Sequence, residues 1–346
     1  ALDREFLDVL GGYGLYSYGI RHPKIVAAVK AQLERSPQYS QELLDPLRAQ
    51  LARVIALLTP GKIQYGFFAN SGTEAVEGAM KLAKLHTGHK GFIAMLKAFH
   101  GKTLGSLSLM GKKTFRQPLL PLLDGVRHVP FGDADAVEQA LAAAKAVGDG
   151  IAAVVAEPVQ GEAGAVVPPD EYWPRVREIC SHYGVLLIAD EVQTGMGRTG
   201  EIFGVDHWQV APDILCLGKA LGGGVLPVSL FLARREVMEV FQPGDHGSTF
   251  GGNPLAAAVG LEALGELVAD GSVVGVVQLA CAARDLVVVE VLVEGQWGAF
   301  HVADDVVVTI PCRAALSLQL ANGDVVGVRQ LIGRRGRLRR QLIGVV

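Results

Sequence analysis

The sequence predicts an α/β protein built on a large, mostly parallel sheet with helices on both faces. Two observations carry this. Short runs rich in Val, Ile, Leu and Ala recur through the middle of the chain, and helix-patterned stretches separate them. Runs that are apolar throughout, rather than alternating, suit strands buried on both faces, and helices between parallel strands supply the cover. With 346 residues, 50% of them apolar and 19% charged, the chain can bury such a core, as one large domain with a smaller one or as two domains.

Taken in order, a Gly/Tyr-rich loop, GGYGLYSYG (11–19), and a helix-like HPKIVAAVKAQLE (22–34) precede the core. Strands are expected at QYGFFA (64–69), GFIAML (91–96), IAAVVAEP (151–158), VLLIAD (185–190), DILCLG (213–218) and VSLFLA (228–233). Helices are expected at 73–86, 134–147 and 170–184, where apolar residues recur at helical spacing. From about residue 266 the composition changes sharply: valine becomes very frequent, lysine is absent after Lys219, and GRRGRLRR (333–340) forms a basic cluster. Such a cluster reads as a solvated face, a binding arm, or the mark of a frame-shifted or decayed end.

Several function classes have no support. A net charge of −3 gives no electrostatic case for nucleic acid as a partner. The long Val runs are broken by Glu, Asp or Gly before reaching the roughly 18 to 20 apolar residues that cross a bilayer, so no membrane partner is expected. The opening ALDREFLDVL has neither a basic start nor an uninterrupted apolar region, so no secretory signal is visible. The four cysteines, Cys180, Cys216, Cys281 and Cys312, form no CxxC pair and read as buried free thiols. No metal site is expected, and a cytoplasmic enzyme fits these features.

In parallel sheets, ligands bind where strands give way to helices, beyond the C-terminal strand ends. Five turns there carry chemistry. In FFANSGTEAVEGAMKLA (67–83), Ser71, Gly72 and Thr73 open a helix, and their amides and hydroxyls either cradle a phosphate or form an ordinary N-cap. In LKAFHGKTLGSLS (96–108), Phe99 and His100 follow a strand; Phe99 either lies over a flat heterocycle or packs in the core. In LLIADEVQTGMGRTG (186–200), Asp190 either pairs with a cationic nitrogen or caps a helix, with Val192 and Gln193 facing the same site. In DILCLGKALGGGVLPVS (213–229), Lys219 stands between a strand and Gly222–Gly224. A lysine crowded by apolar groups becomes a nucleophile or base, whereas the usual fate of lysine is solvation. In DHGSTFGGNPLAAA (245–258), Ser248 and Thr249 offer a second set of phosphate donors. Together the turns describe a phosphate cup, an aromatic lid, an acid for a ring nitrogen and a lysine for an aldehyde, the four handles of pyridoxal 5′-phosphate (PLP).

NSGTEA, AFHGKT, EPVQGEAG, DEVQTGMGRTG, GKALGGG and GSTFGGNP occur in that order, and from about residue 5 to about 265 the chain resembles the class III aminotransferases of the ornithine, acetylornithine and 4-aminobutyrate type. SQELLDPLRAQLARVIALLTPGK (40–62) with PDILCLGKALGGGVLP (212–227) is most similar to the putrescine aminotransferases within that family. The resemblance implies a fold-type I PLP-dependent transferase. Its small domain would take in residues 1–45, its PLP-binding large domain residues 46–265, and a divergent segment at 266–346 would stand in place of the rest of the small domain. That segment lacks the Arg-x-x-Pro-Pro-Leu-like motif of the family.

The resemblance also implies roles. Lys219 would bond the cofactor aldehyde and Asp190 would hold the pyridine nitrogen. Phe99 and Val192 would pack on opposite ring faces, with His100 beside them and Gln193 near the ring hydroxyl. Ser71, Gly72 and Thr73 would bind phosphate in one subunit and Thr249 the phosphate of its neighbour, which requires at least a homodimer. Glu162 would approach the substrate. The implied activity is transamination between a terminal amine, such as putrescine, ornithine or a related diamine or ω-amino acid, and a 2-oxo acid such as 2-oxoglutarate. The alternative is an inactive remnant that binds PLP or dimerises without turnover. Racemase and aminomutase chemistry shares the same motifs.

Overall fold

A strand of Ile, Ala and Val has no polar side chain to turn toward water, so both its faces must be covered. In the computed structural model, which describes residues 8, 10–39, 41–269, 316–319 and 325–328, seven strands solve this in one sheet. They are β1 (Ile63–Ala69), β2 (Gly91–Met95), β3 (Val126–Val129), β4 (Ile151–Ala156), β5 (Leu186–Asp190), β6 (Ile214–Leu217) and β7 (Ser229–Arg234). The spatial order is β1-β7-β6-β5-β4-β2-β3. All the pairings from β6 to β3 are parallel, while β7 runs antiparallel to both β6 and β1. Two reversals restore direction, so β1 points the same way as the parallel strands.

Seven helices matter for the site and its support: α1 (Pro23–Arg35), α2 (Pro46–Leu58), α3 (Gly72–Thr87), α4 (Leu104–Leu109), α5 (Ala134–Ala146), α6 (Tyr172–Tyr183) and α7 (Pro254–Ala269). Their ends follow local chemistry. Asp45 caps α2 by accepting from Arg48 N, with Pro46 at the first helical position. Ser71 and Glu74 form a reciprocal capping box on α3, which closes on Gly88 at φ 69°. Asp133 caps α5 and Gly184, at φ 66°, ends α6.

Strand alternation sends neighbouring residues to opposite faces. Phe92 and Ala94 of β2, Val155 of β4, Ile188 of β5, Cys216 of β6 and Phe231 of β7 share a buried cluster with Ala75, Val76, Ala79, Met80 and Ala83 of α3. Met95 of β2 lies on the other face, where its sulfur takes the Tyr172 hydroxyl of α6 at 3.2 Å. The expected cover on both faces is therefore present. A smaller cluster joins Ile25 of α1 to Val259 and Ala263 of α7.

The sheet adds to the expectation from sequence. The strand β3 is only four residues long and carries Arg127 and His128, so its apolar signal is weak. The ends of β4 and β6 retreat by one or two residues, because Glu157, Pro158 and Gly218 already belong to the rim turns. Residues 1–263 form one compact unit and 264–346 a second. The second contains an antiparallel ladder of β8 (Leu316–Gln319) and β9 (Val325–Val328), with Leu316 opposite Val328. The GRRGRLRR cluster, Cys281 and Cys312 lie outside the described residues.

The α3–sheet contact is close enough to test. A methyl group on Gly78 would come within 2.2 Å of Cε1 of Phe231, a ring fully buried between α3 and the sheet. Gly78→Ala is expected to destabilise the protein by about 1–3 kcal/mol through overpacking, despite the better helix propensity of alanine. The check is the urea midpoint; a midpoint at or above that of the unmodified protein would show that the helix can lift without cost.

Candidate active site

The C-terminal ends of β1, β2, β4, β5 and β6 open on one rim; β1, β2, β5 and β6 deliver four of the chemistry-bearing turns, and β4 adds Glu157. The central one is β5. Its last residue, Asp190, is buried, with Oδ2 2.7 Å from His100 Nδ1 and Oδ1 accepting from Val192 N at 3.1 Å. Burial alone would lower the pKa of His100, but its hydrogen bond to Asp190, the Asp190 charge and Glu157 together outweigh that and raise it. His100 thus keeps a proton shared toward Asp190. Its Nε2 is buried with no hydrogen-bond partner.

Glu157, the first residue beyond β4, is also buried and was given no role from sequence. Its two oxygens accept from Phe99 N at 3.0 Å and Gly161 N at 3.1 Å, so one carboxylate ties the turn after β2 to the turn after β4. Burial pushes its pKa up, His100 opposes that and Asp190 adds to it. Glu191 acts similarly behind the β5 turn. It accepts from the Thr194 hydroxyl, Gly204 N (2.9 Å) and Val205 N (2.8 Å), pinning the glycine-rich loop against the rim. Burial pushes its pKa up to about 7, opposed by those three donors.

At the end of β1, Ser71 spends its hydroxyl on Glu74 N, so the N-cap reading holds for that side chain. The amides of Gly72 and Thr73 open α3 and have no acceptor within the helix. The Thr73 hydroxyl lies 2.6 Å from both Thr103 Oγ1 and Ser106 Oγ, and Thr103 in turn donates to Glu77 at 2.6 Å. Thr249 is exposed, on a loop joined to this turn by Ser248 Oγ, which accepts from Asn70 Nδ2 at 3.2 Å.

Between these ends lies Val192. A methyl group at Gly72 would come within 2.7 Å of its Cγ1, and one at Gly218 within 3.3 Å, so Val192 fills the gap between the start of α3 and the residue before Lys219. Lys219 itself has a left-handed backbone, φ 44°, with Gly223 and Gly224 also at positive φ beyond it. Such a conformation is costly for lysine and is imposed by the turn. Burial lowers its amine pKa, Asp190 and Glu157 oppose this, and Arg198 adds to it. Gln193 reaches across to donate to Tyr13 O at 2.9 Å.

The Phe99 ring stands edge-on to Phe115, centroids 6.2 Å apart, and Lys102 Nζ sits 4.8 Å from the Phe115 centroid and 6.0 Å from that of Phe99. Glu162 is exposed and forms an ion pair with Lys112, whose Nζ also donates to Glu162 O at 3.0 Å. Lys102 and Lys112 had no signal in sequence beyond their charge. Among the described residues no group of His, Cys, Asp and Glu could hold a metal ion.

The donor set fits PLP. Two free helix-opening amides suit a phosphate. Asp190 keeps acceptor capacity for a ring N–H beyond its two contacts, since a carboxylate offers about four lone-pair sites. Gly72 and Gly218 let Val192 seat between the start of α3 and the lysine turn, and burial biases Lys219 toward the free amine.

An α/β sheet of this order with a lysine, an acid and a helix-opening anion cup on one rim is the architecture of the fold-type I PLP enzymes. The aminotransferase class-III family model matches residues 2–280, and the chain belongs to that family. Its members are PLP enzymes. Among solved structures it is similar to the ornithine aminotransferase from Toxoplasma gondii ME49 (35% identity, TM-score 0.72), covering 81% of this chain and 65% of that one. It is similar also to an amine transaminase from an uncultivated Pseudomonas species (31%, TM-score 0.71, 76% and 67% covered). An (S)-enantioselective omega-transaminase from Thermomicrobium roseum compares likewise (32%, TM-score 0.71, 77% and 65%). The chain thus spans about two thirds of the length of these relatives.

Glu191 gives a pH-dependent expectation. Its folded pKa of about 7 lies above the unfolded carboxylate value, so its contribution to stability is full below the unfolded value and fades as pH rises through 7. Glu191→Gln loses an acceptor for a buried amide, at a cost of about 1–3 kcal/mol. Thermal unfolding from pH 5 to 8 should show the variant well below wild type at pH 5 and the gap narrowing toward pH 8; a widening gap would contradict the assignment.

Proposed function

We propose that this protein is a PLP-dependent aminotransferase acting on a terminal amine, with a 2-oxo acid as the second substrate. The observation that supports it most is the convergence of half-buried Lys219, buried Asp190 and the opening of α3 on one rim. Putrescine, ornithine or a related diamine or ω-amino acid is the proposed donor and 2-oxoglutarate the proposed acceptor. Relatives named ornithine aminotransferase and amine transaminase support this class of amine. One of the Toxoplasma gondii structures is described with partial occupancy of PLP at its active site.

When bound, PLP supplies an aldehyde to take up the amino group and a ring to withdraw electrons. The remaining work belongs to this chain. Lys219 is the proposed attachment point and the base that moves a proton at Nζ, a task suited to a lysine with lowered pKa. Asp190 is proposed to hold the ring nitrogen protonated, with His100 fixing its carboxylate from behind. Phe99 and Val192 would pack on opposite ring faces and exclude water, with Gln193 at the ring hydroxyl. The amides of Gly72 and Thr73, beside Ser71, would bind the phosphate. The Thr249 loop would complete the neighbouring subunit's phosphate site, which makes a homodimer the proposed working unit. Glu162 and its partner Lys112 would stand at the substrate entrance. Residues 1–45 are proposed to belong to the small domain and 46–265 to the PLP-binding large domain, with the divergent segment 266–346 in place of the rest of the small domain. A cytoplasmic location fits; among the described residues no helix is long and apolar enough to cross a membrane.

Borohydride reduction of the PLP-treated protein is expected to fix cofactor on the peptide carrying Lys219, and none in Lys219→Ala. Transfer from putrescine or ornithine to 2-oxoglutarate should fall by on the order of 10²–10⁴-fold in Asp190→Asn, as expected for loss of charge control over proton transfer. No adduct on Lys219 would sink the assignment. An adduct without turnover of any diamine or ω-amino acid would identify a cofactor-binding remnant instead.

A further inference from the structure

The loop 245–251, which carries Ser248 and Thr249, follows no strand and is long enough to wander, yet it is held at both ends. At its far end Gln41 accepts from Ser248 N at 3.3 Å and donates to Gly251 O at 2.5 Å, while Gln38 donates to Thr249 O at 2.9 Å. At its near end the holding group is His246. Its ring stacks on Phe241, centroids 5.5 Å apart and planes 7° from parallel, and meets Phe67 of β1 (4.6 Å) and Phe231 of β7 (5.5 Å) edge to face. Lys81 of α3 places Nζ 3.0 Å from His246 Nδ1 and 2.9 Å from Asp245 O.

An ammonium only donates, so His246 Nδ1 must present its lone pair and the ring proton must sit on Nε2. The imidazole is therefore neutral. Its protonation would set two cations 3.0 Å apart, with the half-buried ring against three phenylalanines and Lys81 on its solvent side. We propose that His246 is a positioning residue for the cofactor phosphate: clasped as a neutral ring between Lys81 and three phenylalanines, it fixes the loop that presents Ser248 and Thr249. This rests on the phosphate role of that loop given above.

The charged groups facing His246 are Lys81 and Glu74, both on α3. Asp245 beside it directs its carboxylate to Gln242 N at 2.9 Å, and the cage from β1, β7 and Phe241 carries no charge. Burial lowers the pKa of His246, Lys81 lowers it further and Glu74 opposes them. The clasp is accordingly complete above the ordinary histidine pKa and is lost as pH falls through the lowered folded value.

The test compares PLP with pyridoxal, the same ring and aldehyde without the phosphate, by equilibrium dialysis against the full-length protein at pH 8 and pH 5. Wild type is expected to prefer PLP. His246→Ala should bind PLP about tenfold more weakly, roughly one interaction's worth, with pyridoxal unchanged. His246→Phe keeps an aromatic ring at this position but offers no acceptor, so its preference for PLP should fall less steeply from pH 8 to pH 5 than that of wild type. Using wild type as the reference removes the common effect of phosphate titration. If His246→Ala discriminates as well as a discriminating wild type, or if His246→Phe follows the wild-type pH course, this inference fails alone. Equal affinity of wild type for both compounds would overturn the phosphate assignment as well.

Discussion

A carboxylate at the end of a fully apolar strand is the constraint on which the rest of the site depends. Asp190 lies between β4 and β6, buried, where an unsatisfied charge would cost several kcal/mol. It must be hydrogen-bonded from both sides, and the turn after β2 exists in its observed form to do this. His100 reaches it from that turn, and Phe99 N is fixed in turn by Glu157. The ring of Phe99 is thus placed by a chain of buried acids and amides rather than by apolar packing alone.

The same logic explains why three buried acids cluster at one rim without unfolding it. Asp190, Glu157 and Glu191 each answer to separate donors: a histidine and an amide, two amides from different turns, and a hydroxyl with two amides. No donor is shared, so each acid has its own clamp, while His100, Asp190 and Glu157 still act on one another through charge. The Asp190 and Glu157 clamps tie the turn after β2 to those after β5 and β4, and the Glu191 clamp ties the β5 turn to Gly204 and Val205.

Much of this was legible in the sequence because strands buried on both faces announce themselves as apolar runs. The turns themselves are equally visible, since glycine, serine and threonine after such a run mark a helix opening, although a Ser71 that caps α3 reads the same in sequence as one that holds an anion. The strand β3 was not, because four half-polar residues carry too little pattern, and α2 was hidden by the irregular segment before it. Glu157 went unassigned for a different reason: its partners are backbone amides of Phe99 and Gly161, and no sequence pattern marks which carboxylate accepts from a distant main chain. His246 was passed over because its role lies in ring contacts with β1 and β7, far away along the chain. The antiparallel course of β7 was equally silent, as an apolar strand reads the same in either direction.

That reversed strand has a consequence for the lysine. A parallel successor to β6 would require the chain to leave the rim, cross the sheet and return. Instead β7 starts back from the rim itself, beside the first turn, where Ser229 Oγ donates to Ser71 O at 2.7 Å. Lys219 therefore sits in a short return stitched down on both sides by the β6–β7 ladder, with its far end buttoned to Ser71 at the opening of α3. Lys219 and the opening of α3 are two points on one seam, so the distance between them is kept by the strand ladder and one serine hydroxyl.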